Sequence, residues 1–245
     1  MSVTELRSID EVIARLTAID LSVGRKDGVG CFTRLYLDVT RSVQERLGEA
    51  TFANPAFLAR LDVVFATLYL EAFDTLSSDP DRVPRAWAPL FEERGRHGIA
   101  PLQFALAGMN AHINRDLPVA LVACWKELGQ SATDQADFER VNDVLAHVEG
   151  KVKEQYLGGP LRLLDRLLHR VHRIDDVVAM WDIRRAREAA WVNAEALWAL
   201  RGDQQLVANY LAVLDRSVGL ASRGLLQPAD TWLQRLDRAI RHVGR

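Results

Sequence analysis

The chain has 245 residues, a net charge of −2 and 26 % charged residues. That near-neutral balance, with no basic stripe carrying interleaved aromatics, excludes an electrostatic case for nucleic acid. Its two cysteines, Cys31 and Cys124, are too few for a cysteine-built metal site or a disulfide framework, and they suit a reducing cytoplasm.

The N-terminus, MSVTELRSID, is polar and acidic and carries no signal-peptide pattern. Ser8 and Glu11 form a capping-box pattern that opens a helix to about Ile19. After the loop GRKDGVG, a second helix is expected from about Gly30 to Leu47. Arg34, Asp38, Arg41 and Glu45 mark its wet side. Phe32, Tyr36, Val39, Thr40 and Val43 mark the other, so Tyr36 and Thr40 are inward-facing polar groups. Asn54 as N-cap and Pro55 at the first helical position start a third helix, to about Leu76. Arg60, Thr67, Glu71 and Asp74 should face water there. Asp62, Ala66, Tyr69 and Phe73 lie opposite, which makes Asp62 a carboxylate expected to be buried.

The two prolines of SSDPDRVP mark a loop, and a short helix with Trp87 and Phe91 follows. Residues Ile99 to Trp125, IAPLQFALAGMNAHINRDLPVALVACW, are the longest mostly apolar run. The polar residues inside it make a core helix the better reading than a membrane span. Pro118 has no N–H for residue 114, so this helix should bend or restart there, and it should end near Gly129. Further helices are expected from Asp134 to Gly158-Gly159, from Pro160 through LRLLDRLLHRVHR, from Asp175 to Leu200, from Asp203 to Leu220 and from Pro228 to Val243. No hairpin signal, low-complexity tract or repeat interrupts them. The expected fold is all-α: a single domain over 1–245, with roughly ten helices around the buried apolar central helix.

The chemistry is concentrated in the middle of that central stretch. Burying Asn110, His112, Asn114, Arg115 and Asp116 costs on the order of 1–3 kcal/mol apiece unless each finds a partner. His112 and Asp116 are four apart and project from one face. A carboxylate beside an imidazole orients it and raises its pKa toward neutrality, which suits general acid–base work. The same pair suits two metal ligands on one helical turn, and His172 and Asp176 repeat the spacing. Alternatively, Asp116 caps the helix restarting at Pro118, and His169 to Arg173 is a basic helix end facing the dipole. On the helix after Asp175, Met180, Arg184, Arg187, Trp191 and Trp198 share a stripe, which predicts both arginines held against aromatic surface. There they would grip an anionic group or pair with Asp62 or Asp116. No Gly-rich phosphate loop and no nucleophile elbow is present.

GMNAHINRDLP (Gly108–Pro118), FANPAFLARLDVVFATLY (Phe52–Tyr69) and IRRAREAAW (Ile183–Trp191) together resemble an actinobacterial family of unknown function, over nearly the whole chain. The resemblance implies a single domain and no established activity. His112-x-x-x-Asp116-Leu117 also resembles the HxxxD segment of the zinc-dependent phospholipase C and S1/P1 nuclease group, in which the His and Asp bind zinc. That group's N-terminal Trp has no counterpart at Met1, and no later His is followed four residues on by Glu.

Three functional expectations follow. The first is a cofactor-independent enzyme for a small, largely hydrophobic molecule. It would use His112 as acid or base, Asp116 as its orienting group, and Arg184 or Arg187 for developing charge. Asn110, Tyr36, Asp62, Tyr69 and Trp191 would contact the substrate. The second is a metal-dependent hydrolase on His112, Asp116, His172 and Asp176. The third is a non-catalytic helical protein whose buried polar residues form a closed network. No membrane partner is expected.

Overall fold

Capping residues set where the helices begin. In a computed structural model, which describes residues 6–47, 52–131, 134–143, 145 and 182–228, α1 spans Ile9–Ser22, and its N-cap Ser8 accepts from the Glu11 N–H. The return arm of the expected capping box goes one residue further out: the Glu11 carboxylate accepts from the Arg7 N–H. Helix α2 spans Gly28–Leu47 and starts two residues before the expected Gly30, because the Asp27 carboxylate caps it through the Val29 N–H. Helix α3 spans Pro55–Ser78 under Asn54 and Pro55, as the sequence predicts. A turn of 3-10 helix, Pro80–Arg82, occupies the proline loop before α4, Ala88–Glu93.

The central stretch is three pieces: α5 at Pro101–Ala111, a π-helical turn at His112–Asp116, and α6 at Leu117–Leu128. Pro118 explains the break. Its ring nitrogen offers no N–H to Asn114, and the Leu117 N–H bonds instead to the His112 carbonyl, five residues back. Gly129, at φ +82°, ends α6. Residues 134–143 are helical. Helix α7 spans Ile183–Ala199, and α8 spans Gln204–Leu225 under the N-cap Asp203, five residues longer than expected. The fold is all-α. Among the described residues eight α-helices have defined bounds, against roughly ten expected. The helices expected at 160–173 and 228–243, together with His172, Asp176 and Met180, lie outside the described residues except for Pro228.

Among the described residues two large apolar clusters and one small one fill the interior, and the central stretch passes through both large ones. The first takes α1, α2, α3 from its middle onward (Val63, Ala66, Tyr69, Leu70), Trp87 and α5. The second takes the N-terminal half of α3 (Phe57, Leu58, Leu61), α6, residues from 138 to 141, and α7. The crossover from one cluster to the other falls at the π turn, between Ala111 and Ile113. Helices α2 and α5 come close by reciprocal packing. Gly28 leaves room for the Phe104 ring, and Gly108 leaves room for the Phe32 ring, where a β-carbon would strike either one. That approach delivers Phe32 and Tyr36 to the π turn.

Candidate functional site

The π turn turns His112 and Asp116 into the junction between the two clusters. His112 is 3 % exposed and Asp116 fully buried. Asp116 makes no capping bond to α6. Its carboxylate instead collects three partners. Oδ2 accepts from the Trp87 indole Nε1–H at 2.9 Å and faces His112 Nδ1 at 3.3 Å, and Oδ1 accepts from Arg115 at 2.8 Å. A carboxylate oxygen only accepts, so this contact places the imidazole proton on Nδ1 and leaves Nε2 as a bare lone pair. Nε2 is buried and has no hydrogen-bond partner.

Aromatic rings wall in the imidazole. Phe65 stacks on it at 3.4 Å between centroids with a 6° interplanar angle, and Tyr36 meets it edge-on at 4.4 Å. Phe32, Trp87 and Tyr69 complete the wall at 5.7, 6.0 and 6.2 Å. This apolar setting decides the charge. Burial lowers the pKa of His112 and outweighs the upward pull of Asp116. The expected rise toward neutrality is therefore corrected: desolvation wins, and the imidazole is uncharged at neutral pH.

Further polar atoms are orphaned on α2, α3 and α6. Among the described residues, the buried side-chain atoms without a partner are Tyr36 Oη, Thr40 Oγ1, Asp62 Oδ2, His112 Nε2 and, in the second cluster, Trp125 Nε1. Asp62 is half-buried as a residue, but its Oδ2 is sealed from water, and burial pushes its carboxyl up to about 7. Burial, and then the charge of Asp62, hold the Tyr36 phenol well above its ordinary range. The Thr40 hydroxyl is near enough to temper that phenol, yet neither oxygen has a partner of good geometry. Tyr69, by contrast, is satisfied by Thr33 Oγ1 at 2.6 Å.

The structure thus brings Tyr36 and Tyr69 against His112, and the Asp62 carboxylate acts on the Tyr36 phenol. The other expected residues go elsewhere. Asn110 is satisfied on the opposite side of the helix. Its amide donates to the Val218 carbonyl and to Ser222, its oxygen accepts from Asn114, and so it fastens α8. The expectation of two arginines against aromatic surface holds for Arg187 and not for Arg184. Helix α7 rests one side on α6, and Arg184 falls on its exposed side. Arg187 is buried, lies 3.9 Å over the Phe138 ring, and donates to Asn142 and to the Phe138 carbonyl. Burial lowers its pKa to about 9. It pairs with neither Asp62 nor Asp116. Trp191 packs on Trp125 and Phe138 and donates to Glu195, in the second cluster.

Sequence reasoning missed Trp87 as the second holder of Asp116, Phe65 as the stacking partner, and Asp215. The helical period places Phe65 one turn beyond Asp62, which is a usable signal. Trp87 and Asp215 sit in other elements and leave no local signal. Among the described residues no group of three His, Cys, Asp or Glu side chains is arranged to hold a metal ion. No described helix is long and apolar enough to cross a membrane.

A family model described as a family of unknown function (DUF5995) matches residues 9–228. No curated protein and no solved structure was found to match the chain.

Proposed function

The chain belongs to this family of unknown function, so its activity must be read from its own side chains, and we propose that it is a small-molecule enzyme doing acid–base chemistry with the buried His112/Asp116 pair. The observation that carries this reading is the orphaned Nε2 of a buried neutral imidazole, met edge-on by Tyr36, whose phenol oxygen is orphaned too. Each such atom costs on the order of 1–3 kcal/mol unless an occupant satisfies it. His112 Nε2 is the base: it takes a proton from the substrate, and Asp116 stabilises the imidazolium that results. Asp62, with its pKa near neutrality, is the group that returns a proton, and the Tyr36 phenol donates to the oxygen on which charge develops. Isomerisation, cyclisation and hydrolysis all fit this division of labour.

The aromatic wall favours a neutral, largely apolar substrate. Arg184 and Arg187, placed elsewhere, have no part in the proposal, and no metal or organic cofactor is part of it. The reducing cytoplasm suits two buried thiols whose pKa values burial raises, that of Cys124 to about 12.

A collection of neutral, apolar fragments, scored by thermal shift and then by turnover, tests the reading. We expect binders that stabilise the wild type and Arg184→Ala alike but not His112→Phe, and at least one that only proteins with His112 convert. No binder in the wild type, or binders indifferent to His112→Phe, would overturn it.

A further inference from the structure

We propose that Arg115 and Asp215 are positioning residues that set the tautomer and orientation of His112 by closing a ring of bonds around Asp116. The ring begins at the Asp116 carboxylate, which holds Arg115 Nη1 at 2.8 Å. Arg115 Nε lies 3.6 Å from Asp215 Oδ1, across the gap between the π turn and α8. Asp215 then accepts two backbone N–H groups, from Arg85 at 2.8 Å and from Ala86 at 3.1 Å. The next residue in the chain is Trp87, whose indole N–H returns to Asp116. Every link is a hydrogen bond, a charge pair or a peptide bond, so Asp215 fixes Asp116 from both sides. It aims the guanidinium at one carboxylate oxygen and the indole at the other.

The neighbouring packing makes the geometry stiff. Gly219, one helical turn beyond Asp215, lies so close to the Arg85 carbonyl that a β-carbon would strike it. Helix α8 cannot slide without moving the segment that carries Trp87. Only one of the two Asp116 oxygens faces Nδ1, so rotation of the carboxylate would change what the imidazole meets. Among the described residues Glu71 feels Asp116 and Arg115, and Tyr36 feels Asp62 and Asp116. Neither forms a link of the ring.

This inference deepens the acid–base reading and rests on it for its catalytic meaning, but its test needs no substrate. Nitrogen-15 NMR of the full chain at a single neutral pH reads the His112 tautomer directly. Hydrogen exchange of the Trp87 indole N–H reads the second holder. In Asp215→Asn we expect His112 to move from one Nδ1–H tautomer to a mixture, and the indole N–H to exchange about tenfold faster or more, as the loss of a charge-assisted bond implies. Arg115→Met, at a side chain 22 % exposed, opens the same ring without touching the backbone contacts of α8, and it should produce the same tautomer change even if Asp215→Asn fails to fold. The double variant should be no worse than the larger single one.

Arg223→Gln is the control, because Arg223 ties α8 to α4 through Glu92 without touching the ring. It should leave both signals unchanged. A wild-type tautomer in folded Arg115→Met, or an equal change in Arg223→Gln, would overturn the proposal. If the ring variants move His112 as expected while no fragment is bound or turned over, the positioning stands and the enzymatic reading falls.

Discussion

A neutral imidazole with one nitrogen engaged and the other bare is held at a cost to stability. In the unfolded chain His112 takes a proton near its ordinary pKa of 6.5; in the fold burial lowers that pKa. The folded state therefore loses ground as pH falls below 6.5, by up to about 1.4 kcal/mol per pH unit until the folded pKa is reached. His112→Phe keeps a ring against Phe65 and has no such loss. Its melting temperature should match or exceed that of the wild type at pH 7, with the advantage widening toward pH 5 in calorimetry.

Asp62 has the opposite acid limb. Its folded pKa of about 7 lies above the ordinary 3.8, so ionisation favours the unfolded chain as pH rises between those values. Asp62→Asn should leave stability unchanged below pH 4 and raise it above pH 7, by on the order of 3 kcal/mol or less in urea titrations.

Among the elements, α3 shows most clearly what local sequence encodes and what it omits. Asn54 and Pro55 mark its start because capping is a matter of three adjacent residues. Asn54→Ala should cost about 1 kcal/mol. The fully buried Asp137 was not legible in the same way. It accepts from the backbone N–H groups of Ala53 and Asn54, more than eighty residues away in sequence, and nothing in its own helix announces that. Asp137→Ala strands both donors and should cost more, about 3 kcal/mol by the same titration. The candidate site divides along the same line. His112, Asp116, Tyr36 and Asp62 were legible because helical periodicity aims them inward. Trp87 and Asp215 meet Asp116 and Arg115 only through the tertiary fold. Arg184 was misplaced because a stripe carrying two tryptophans is wider than the face that α7 actually buries.

Across the whole molecule, the two apolar clusters share α3 and the central stretch, with the π turn at the joint. Neither cluster can lose its packing without releasing a helix that the other needs. Leu16 in the first and Leu121 in the second are both fully buried. Truncating either to alanine should cost roughly 2–5 kcal/mol. Each variant should still melt in one step, with tryptophan fluorescence and far-ultraviolet circular dichroism coinciding. Separate transitions would show that the clusters unfold independently.

Phe65 stacks flat on the imidazole, yet the residue itself is only half-buried, unlike Tyr69 and Trp87 on the other sides. Phe65 is therefore the ring of the aromatic wall most open to water. Removing the ring in Phe65→Ala should let diethyl pyrocarbonate acylate His112 several-fold faster, with the other histidines unaffected in the same mass-spectrometric time course.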